Sequence, residues 1–362
     1  MKESPQRYQV WIACEGWEEP LIRELQGTLP QISQWKSPSP GIVWSPAPLP
    51  EAAFVVPNET VFVRHFLPNA FDVSGESAKD LIRLLGPYVD TVIDNTSVPW
   101  SFFLATPEVF TLAGESYQNL DGRIPLLTEL LLDRMEHFRR RSFERFKPAM
   151  GFREGILMQM WLLSPNRLLF GATELRRNRL FPTNPLPWPS ERFPEDPQAP
   201  CRSYYKVEEA WHCLGMAPKK GQLCVDLGAA PGGWTWSALK RGAKVIAVDA
   251  ADLAPHVSEH PLCDHRRDNG YEFMPPVTAE WLFCDMIVRP LATIGLIDRW
   301  LAEGKCRGFV ANVKFRGKEP ESILEEVRRM EQRHNLGKLR ARHLYFDRNE
   351  ITLMYHPDAG SG

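Results

Sequence analysis

The chain has 362 residues, of which 43% are hydrophobic and 24% are charged, and its formal net charge is −2. This length predicts two or three domains with buried cores. The near-zero net charge excludes a generally cationic chain, so nucleic-acid binding would depend on local basic patches. No apolar signal core opens the chain and no run approaches about 18 apolar residues, which predicts a soluble, cytoplasmic protein. The seven cysteines include no C-x-x-C pair, which favours neither a zinc site nor a disulfide framework.

The first half of the chain has the mixed pattern of an α+β region. In chain order, we predict a strand at residues 8–14, a helix at 18–25, strands at 60–63 and 100–106, a helix at 124–146, and a hairpin formed by 155–163 and 167–174. Two proline-dense segments interrupt this pattern, at residues 37–54 and 180–200. Because proline fixes φ and lacks an N–H donor, residues 180–200 are predicted to form an extended linker and the main domain boundary.

After this linker, strands and helices alternate. Strands are predicted at residues 223–226, 244–249, 265–268, 281–285, 308–314, 340–346 and 350–355, with helices at 234–241, 291–303 and 320–334. Only three residues separate the last two strands, which predicts an antiparallel hairpin. The fold class predicted for this part is α/β, a Rossmann-like, doubly wound, mostly parallel sheet of seven strands.

A glycine-rich turn follows the first of these strands, in the segment VDLGAAPGGWTW at residues 225–236. The spacing differs from G-x-G-x-x-G, which argues against a dinucleotide and favours a nucleoside ligand without a pyrophosphate. A plain tight connection is the alternative interpretation of the turn taken alone. The candidate cofactor-binding residues of this segment are Asp226, Gly228, Ala229, Pro231, Gly232, Gly233 and Trp234.

Two further acids are candidates for the same ligand. Asp249 ends the second strand, where a carboxylate can bind both ribose hydroxyls, and Asp268 ends the third, where it can reach an adenine amino group. A ligand with ribose and adenine but no pyrophosphate indicates S-adenosylmethionine as the cofactor.

Four polar residues occupy unusual places in this part of the chain. Lys206 lies on a predicted helix before the first strand, whereas Asp285, Lys314 and Glu350 lie at strand ends. A lone lysine or acid at a strand end is more often a solvated cap, but two lysines and two acids together predict a site.

These segments resemble the FtsJ-type RNA ribose 2′-O-methyltransferases, which carry a Lys-Asp-Lys-Glu tetrad. The resemblance is carried by RSYYKVEEAW, VDLGAAPGGWTW, RRDNGYEF, CDM, ANVKF and LYFDRNEITL, between residues 200 and 355. It implies that Lys206, Asp285, Lys314 and Glu350 are catalytic, with Asp285 also bordering the cofactor. The details are most similar to members that methylate a cytidine in 23S ribosomal RNA and carry an N-terminal THUMP region.

The resemblance also implies a domain organisation. Residues 1–70 would form a small α+β domain, 71–179 a THUMP-like RNA-binding domain, 180–200 the linker and 201–362 the methyltransferase domain. In the implied mechanism, Lys314 accepts the proton of the ribose hydroxyl, Asp285 orients Lys314, and Glu350 holds Lys206 and the hydroxyl. The opposite assignment, in which a protonated Lys314 steers the alkoxide, stays open. No step requires a metal.

Two basic clusters precede or border the linker and are candidates for RNA contacts, since arginines suit phosphates and aromatics suit bases. A solvated helix face with buried phenylalanines is the alternative for the first cluster. A small-molecule methyltransferase and a non-catalytic RNA-binding protein are the competing functions. The clusters comprise Arg134, Arg139, Arg140, Arg141, Arg145 and Lys147 with Phe138, Phe143 and Phe146, and Arg176, Arg177 and Arg179.

Overall fold

Two seven-stranded sheets organise the chain, one in each of two units, Met1–Arg192 and Phe193–Gly362. The computed structural model describes residues 6–46, 60–95, 97–107, 120, 122–149, 152, 154–175, 195–317, 320–337 and 339–359. The break between the units falls inside the proline-rich segment 180–200, of which residues 180–194 lie outside this description, as do Arg176, Arg177 and Arg179. Across the described helices, none combines the length and apolar character that crossing a membrane requires.

The sheet of the first unit is mainly antiparallel, and its strand order is β2-β3-β1-β4-β7-β6-β5, with only β5 and β6 parallel to each other. Helices α2 and α3 pack on it through an apolar core that includes Leu85, Val89 and Leu131. The elements are β1 (Tyr8–Ile12), α1 (Glu18–Thr28), β2 (Lys36–Ser39), β3 (Ile42–Ser45), β4 (His65–Ser74), α2 (Ala78–Asp94), β5 (Trp100–Ala105), α3 (Arg123–Phe138), α4 (Arg140–Phe143), β6 (Gly155–Ser164) and β7 (Arg167–Leu175).

Several predictions for this unit are confirmed and two are wrong. The 155–163 and 167–174 hairpin is present as β6 and β7. The strand predicted at residues 60–63 is absent, because the backbone N–H groups of Val61 and Phe62 donate to the Glu24 carboxylate, at 2.5 and 3.0 Å, and not to a neighbouring strand. The helix predicted at residues 124–146 breaks at Arg139, and the chain beyond it pairs with the start of β5, where the Trp100 N–H donates to the Arg145 carbonyl.

Three strands and one helix of this unit lie where none was predicted, namely β2, β3, β4 and α2. The hairpin of β2 and β3 occupies the first part of the proline-dense segment 37–54, at the edge of the sheet, where a missing N–H is tolerated. Helix α2 contains Gly86 and Pro87, a pair typical of turns, and is capped at its start by Ser77, whose side chain accepts from the Asp80 N–H. Strand β4 runs through the predicted boundary at 70/71, so the separation of domains 1–70 and 71–179 stays a prediction.

The second unit is the predicted α/β, Rossmann-like, doubly wound sheet. Its strand order is β10-β9-β8-β11-β12-β14-β13, and β14 is the one strand that runs antiparallel to the other six. The elements are α5 (Tyr204–Leu214), β8 (Leu223–Leu227), α6 (Gly233–Leu239), β9 (Lys244–Val248), α7 (Pro255–Ser258), β10 (Cys263–Arg266), β11 (Ala279–Cys284), α8 (Pro290–Ala302), β12 (Cys306–Lys314), α9 (Glu321–His334), β13 (Arg340–Arg342) and β14 (Glu350–Tyr355).

The order of the strands reverses between β8 and β11, which are parallel neighbours with Leu227 opposite Cys284. In such sheets a ligand binds outside the carboxyl ends of the strands at this switch point. The final hairpin is antiparallel as predicted. Its first strand ends at Arg342 and not at residue 346, because the N–H groups of Leu344 and Tyr345 donate to side-chain carboxylates and not to β14.

Candidate active site

The glycine-rich turn connects β8 to α6 at the switch point. Gly228 and Gly232 have positive φ values of 78° and 113°, a region that favours glycine. A Cβ on Gly228 would also lie 2.7 Å from Cγ of Met286, which follows Asp285 at the end of β11. The turn therefore packs directly against the segment that carries Asp285.

The other predicted turn residues lie in the same bend. Ala229 donates its N–H to the Val248 carbonyl at 3.3 Å, and the Pro231 carbonyl accepts from the Ala254 N–H at 2.9 Å. Gly233 is the first residue of α6. The turn is thus fastened to the end of β9 and to the segment that follows it.

Asp249 and Asp268 lie at this same edge of the sheet. The Asp249 carboxylate accepts from the Ala230 N–H at 3.0 Å and from the Ala251 N–H at 2.9 Å, so it bridges the glycine turn and the end of β9. Asp268 follows β10 and accepts from the Asn269 N–H at 2.7 Å. Both carboxylates are outside the core.

Asp226 and Trp234, by contrast, direct their side chains into the core. Asp226 is fully buried and accepts from the Thr235 hydroxyl at 2.7 Å, which fastens the first turn of α6. Burial raises the pKa of Asp226 to about 7. The Trp234 indole is buried and donates to the Ser203 carbonyl at 2.9 Å. These two buried side chains hold the turn in place from its core-facing side.

The four residues of the predicted tetrad lie together. Lys206, in the first turn of α5, forms an ion pair with Glu350 at the start of β14. Lys314, at the end of β12, places Nζ 2.8 Å from Asp285 Oδ1 and 2.8 Å from the Asp285 carbonyl. Lys314 and Glu350 are opposite each other in the β12–β14 ladder. All four side chains are largely buried, the most exposed being that of Lys314 at 24%.

Three buried polar residues that sequence reasoning missed connect these two ion pairs. The side-chain NH₂ group of Asn312 donates to Asp285 Oδ1 at 2.9 Å. The side-chain oxygen of Asn312 lies 2.8 Å from the Thr352 hydroxyl. That hydroxyl is also 2.9 Å from Asp347 Oδ2, and Asp347 Oδ1 lies 4.0 Å from Lys206 Nζ. A sequence signal was present, since Asn312 and Thr352 interrupt the apolar runs GFVANVKF and EITLMY.

Residues 199–295 match the family model of FtsJ-like methyltransferases. Curated relatives named "Ribosomal RNA large subunit methyltransferase M" are 38% identical over 220 residues in Laribacter hongkongensis, 39% over 191 in Azotobacter vinelandii and 36% over 202 in Pseudomonas aeruginosa. These matches cover 57%, 47% and 52% of this chain. Among solved structures, TrmN from Thermus thermophilus is 13% identical with a TM-score of 0.34 over 97% of this chain and 99% of that one, a likeness too low to support an argument.

The chain spans 60%, 52% and 55% of the lengths of those three relatives. The FtsJ-like region, residues 199–295, contains Lys206, the glycine turn and Asp285. Lys314 and Glu350 lie beyond it, so their place beside Lys206 and Asp285 is an observation of the structure that the family match does not include.

The electrostatics of the candidate site keep Lys206 charged. Burial acts to lower the pKa of Lys206, but the surrounding negative charges outweigh it, and the pKa is raised above its ordinary value of 10.5. The charges responsible are those of Asp347, Asp285 and Glu350. Lys206 is therefore a permanent cation at the centre of the site.

Exposed arginines without carboxylate partners neighbour the tetrad residues in the chain. Arg202 precedes Lys206 by four residues, Arg289 follows Asp285 and is the N-cap residue of α8, and Arg316 follows Lys314. Within the described ranges of the chain, no carboxylate forms an ion pair with any of these three. Other exposed arginines of the unit are paired, including Arg266 with Asp264 at 2.8 Å. Exposed positive charge without an ion-pair partner therefore lies within four residues of Lys206, Asp285 and Lys314 in the chain.

A possible metal-ligand cluster lies at the opposite edge of the sheet. Glu280, His356 and Asp358 form the one such group found among the residues that the structure describes. The Arg307 guanidinium contacts both carboxylates, at 2.9 and 3.2 Å. Because Glu280 lies at the amino end of β11 and Asp285 follows its carboxyl end, this cluster is remote from the tetrad.

Proposed function

We propose that this protein is an S-adenosylmethionine-dependent RNA 2′-O-methyltransferase that modifies a cytidine of 23S ribosomal RNA. The observation that carries the proposal is the convergence of Lys206, Asp285, Lys314 and Glu350 beside the glycine turn. Two lysines, each paired with an acid, suit the alignment and deprotonation of a hydroxyl that is a poor nucleophile.

The residues at the switch point fit an adenosine-type cofactor. The bend from Gly228 to Gly233 brings backbone to the carboxyl end of β8 without bulky side chains. The Asp249 carboxylate is oriented by two backbone N–H groups and would bind the ribose hydroxyls, while Asp268 would bind the base. S-Adenosylmethionine, when bound there, supplies an activated methyl group.

The chain's own residues would then align the acceptor and receive its proton. Lys314 is held by two contacts to Asp285, one to the carboxylate and one to the carbonyl. S-Adenosylmethionine would supply the methyl group for the ribose oxygen, and the Lys314 amine, in its neutral form, would accept the proton that the hydroxyl loses. Lys206 and Glu350 hold the hydroxyl in line. A metal has no part in this scheme.

Large-subunit ribosomal RNA is proposed as the substrate from the names of the relatives and from the exposed arginines that neighbour the tetrad residues in the chain. Within the first unit, we assign residues 71–179 to a THUMP-like domain that captures RNA and residues 1–70 to a small accompanying domain. We propose, on the same ground, that the protein acts in the cytoplasm.

Transfer of a radiolabelled methyl group tests this function. Purified protein and labelled S-adenosylmethionine are incubated with total RNA from cells that lack the protein. We expect label in 23S ribosomal RNA, as a 2′-O-methylcytidine after digestion. Label in a small molecule would support the small-molecule methyltransferase instead, and RNA binding without label would support a non-catalytic binding protein.

A further inference from the structure

Three aromatic rings form a stacked column beside the tetrad. The rings of Tyr204 and Tyr205 stack with their centroids 4.2 Å apart, and Tyr205 stacks on Phe346 at 4.6 Å with the two planes 10° apart. Tyr205 immediately precedes Lys206, and Phe346 lies in the segment between β13 and β14, four residues before Glu350. The aromatic column of Tyr204, Tyr205 and Phe346 therefore joins the two segments that supply the Lys206–Glu350 ion pair.

The column has one closed end and one open end. The Tyr204 ring is buried, and its hydroxyl accepts from the Asp196 N–H at 2.9 Å. Tyr205 is buried between its two neighbours, whereas Phe346 is partly exposed. Because Tyr205 covers one face of the Phe346 ring, the exposed surface of Phe346 belongs to its other face and its edge. A ring that is supported from behind and accessible from the front suits stacking on a nucleobase.

A guanidinium group lies at this open end. Arg202 is exposed, no described carboxylate pairs with it, and its Cζ lies 5.8 Å from the centroid of the Phe346 ring. Atoms in direct contact are about 3.5–4 Å apart, so two stacked contacts in succession span about 7–8 Å. A flat base therefore fits between Phe346 and Arg202 once the exposed arginine side chain moves outward by roughly 1–2 Å, the difference between that span and 5.8 Å.

The two members of this pair extend from opposite sides of the site. The segment that carries Arg202 packs on the glycine turn, since a Cβ on Gly233 would lie 2.8 Å from Cys201 Sγ. Phe346 belongs to the segment that leads to Glu350. A base held between Phe346 and Arg202 is therefore adjacent both to the turn proposed for the methyl donor and to the tetrad.

We propose that Phe346 and Arg202 hold the base of the methylated nucleotide between an aromatic ring and a guanidinium plane. The cofactor does not compete for this place, because its proposed ligands Asp249 and Asp268 follow β9 and β10, on the opposite side of β8 from β14. Stacking accepts every base, so this contact fixes the position of the nucleotide and does not select its identity. The inference rests on the proposed function, because it places the base of the acceptor beside the proposed tetrad.

Substitutions in the full chain test the stacking site. Phe346→Leu removes the planar ring and Arg202→Ala removes the guanidinium, so each should raise KM for RNA roughly 5- to 150-fold. Phe346→Tyr keeps the ring and should retain the wild-type KM, and the cofactor Kd should be unchanged in all three variants. Tyr355→Leu, which removes a partly exposed ring at the opposite end of β14, is the matched control and should leave KM unchanged.

One pattern in these data would overturn the proposal. If Arg202→Ala weakens RNA binding while Phe346→Leu does not, Arg202 contacts a phosphate and no base is stacked on the ring. A loss in Phe346→Tyr as large as that in Phe346→Leu would likewise exclude stacking, because the ring itself would then not be what the RNA requires.

Photocrosslinking tests the same contact without relying on methyl transfer. Transcripts that together cover 23S ribosomal RNA are made with 5-iodocytidine, which crosslinks to a stacked aromatic ring under ultraviolet light. Mass spectrometry should find RNA attached to the peptide that contains Phe346, at the nucleotide that becomes methylated, and Phe346→Leu should remove this crosslink. Crosslinks confined to other peptides, in a protein that methylates RNA, would overturn the stacking site and leave the proposed function intact. A crosslink at Phe346 without any methyl transfer would refute the proposed function and leave the stacking site supported.

Discussion

At the scale of single residues, the two lysines of the site differ in their surroundings. Lys206 is enclosed by carboxylates that raise its pKa, so it remains a cation. Lys314 contacts only Asp285 within the tetrad and is the more exposed of the two. This asymmetry supports the proposed division of roles, in which Lys206 carries the permanent charge and Lys314 meets the ribose hydroxyl.

Replacing Lys314 tests this division of roles. Lys314→Ala should lower kcat by about 10²–10⁴-fold, the usual contribution of a positioned general base, and should leave the cofactor Kd nearly unchanged. Lys314→Arg should not restore activity, because a guanidinium is not deprotonated in proteins. The measurement is single-turnover methyl transfer with calorimetry for cofactor binding. Lys244→Ala, at the exposed amino end of β9, is the matched control. An active Lys314→Arg enzyme would mean that charge is needed and that the proton acceptor is another group.

Asp226 should make the stability of the fold depend on pH. Its folded pKa of about 7 lies above the ordinary value of 3.8, so its favourable contribution is complete below pH 3.8 and is lost as pH rises through 7. Asp226→Asn keeps an acceptor for the Thr235 hydroxyl but does not ionise. The free-energy difference of unfolding between this variant and the wild type should therefore grow by up to about 1.4 kcal/mol per pH unit across that window.

Urea unfolding of both proteins between pH 4 and pH 8, without cofactor, measures this difference. The variant should be the more stable protein at pH 8, and the two should converge near pH 4. Parallel stability curves across the range would contradict the buried, protonated state of Asp226.

At the scale of elements, the sequence predicted strands where apolar residues recur and failed where side chains replace the backbone ladder. All seven strands of the second unit overlap predicted strands, and most of them are apolar runs bounded by turns, the exceptions being the polar β10 and β13. At residues 60–63 and 343–346 the same pattern was misleading. The amides there donate to the carboxylates of Glu24, Asp347 and Glu209. The contacts to Glu24 and Glu209 join residues far apart in the chain, so no local pattern contains them.

Helix α2 was missed for a related reason, since the function of Gly86 is visible only in three dimensions. Arg134 on α3 forms a bidentate ion pair with Asp90 on α2, at 2.8 and 2.7 Å. A Cβ on Gly86 would lie 2.4 Å from Arg134 Nε, so the glycine makes room for the guanidinium. Gly86 therefore allows the close contact between α2 and α3 and does not mark a turn.

A double-mutant cycle tests this explanation. Gly86→Ala alone should destabilise the protein by about 1–2 kcal/mol, because overpacking outweighs the better helix propensity of alanine. In an Arg134→Ala background the same change should stabilise it by roughly 0.5–1 kcal/mol, since only the propensity remains. Urea unfolding of the four proteins gives both values. The same sign in both backgrounds would exclude the steric role of Gly86.

At the scale of the whole molecule, the tetrad was predictable and its support was not. Lys314 and Glu350 could be predicted as site residues because charged residues at the ends of buried strands are unusual. Asn312 and Thr352 are neutral and lie within strands, where polar residues often have no catalytic role. The first basic cluster was predicted as one surface, but the structure divides it. Arg134 and Arg139 bind Asp90 on α2, and only part of the cluster faces solvent.

The exposed part of that cluster is a small corner between α3 and α4. Phe138 is 70% exposed, and Arg140 and Arg141 are exposed beside it. Neither arginine has a carboxylate partner among the residues that the structure describes. An exposed aromatic ring next to two unpaired guanidinium groups suits stacking on a base and contact with phosphates. The chain as a whole has a net charge of −2, so the salt-dependent part of RNA affinity has to come from local basic surfaces. This corner is one such surface.

The double variant Arg140→Ala/Arg141→Ala should therefore weaken RNA binding and flatten its dependence on salt. Each lost phosphate contact reduces the slope of log K against log salt concentration by about 0.7 for single-stranded RNA, so two contacts should reduce it by about 1.4. Arg139 is left intact because its ion pair with Asp90 is structural. Arg328→Ala/Arg329→Ala is the matched control, since these adjacent exposed arginines on α9 are paired with Glu325, at 3.7 and 3.4 Å. Titrations with a 23S ribosomal RNA fragment at several salt concentrations measure both slopes, and the cofactor Kd should be the same in both variants. Equal slopes in the two double variants would remove this corner from the RNA-binding surface and would shift attention to the arginines that neighbour the tetrad residues in the chain.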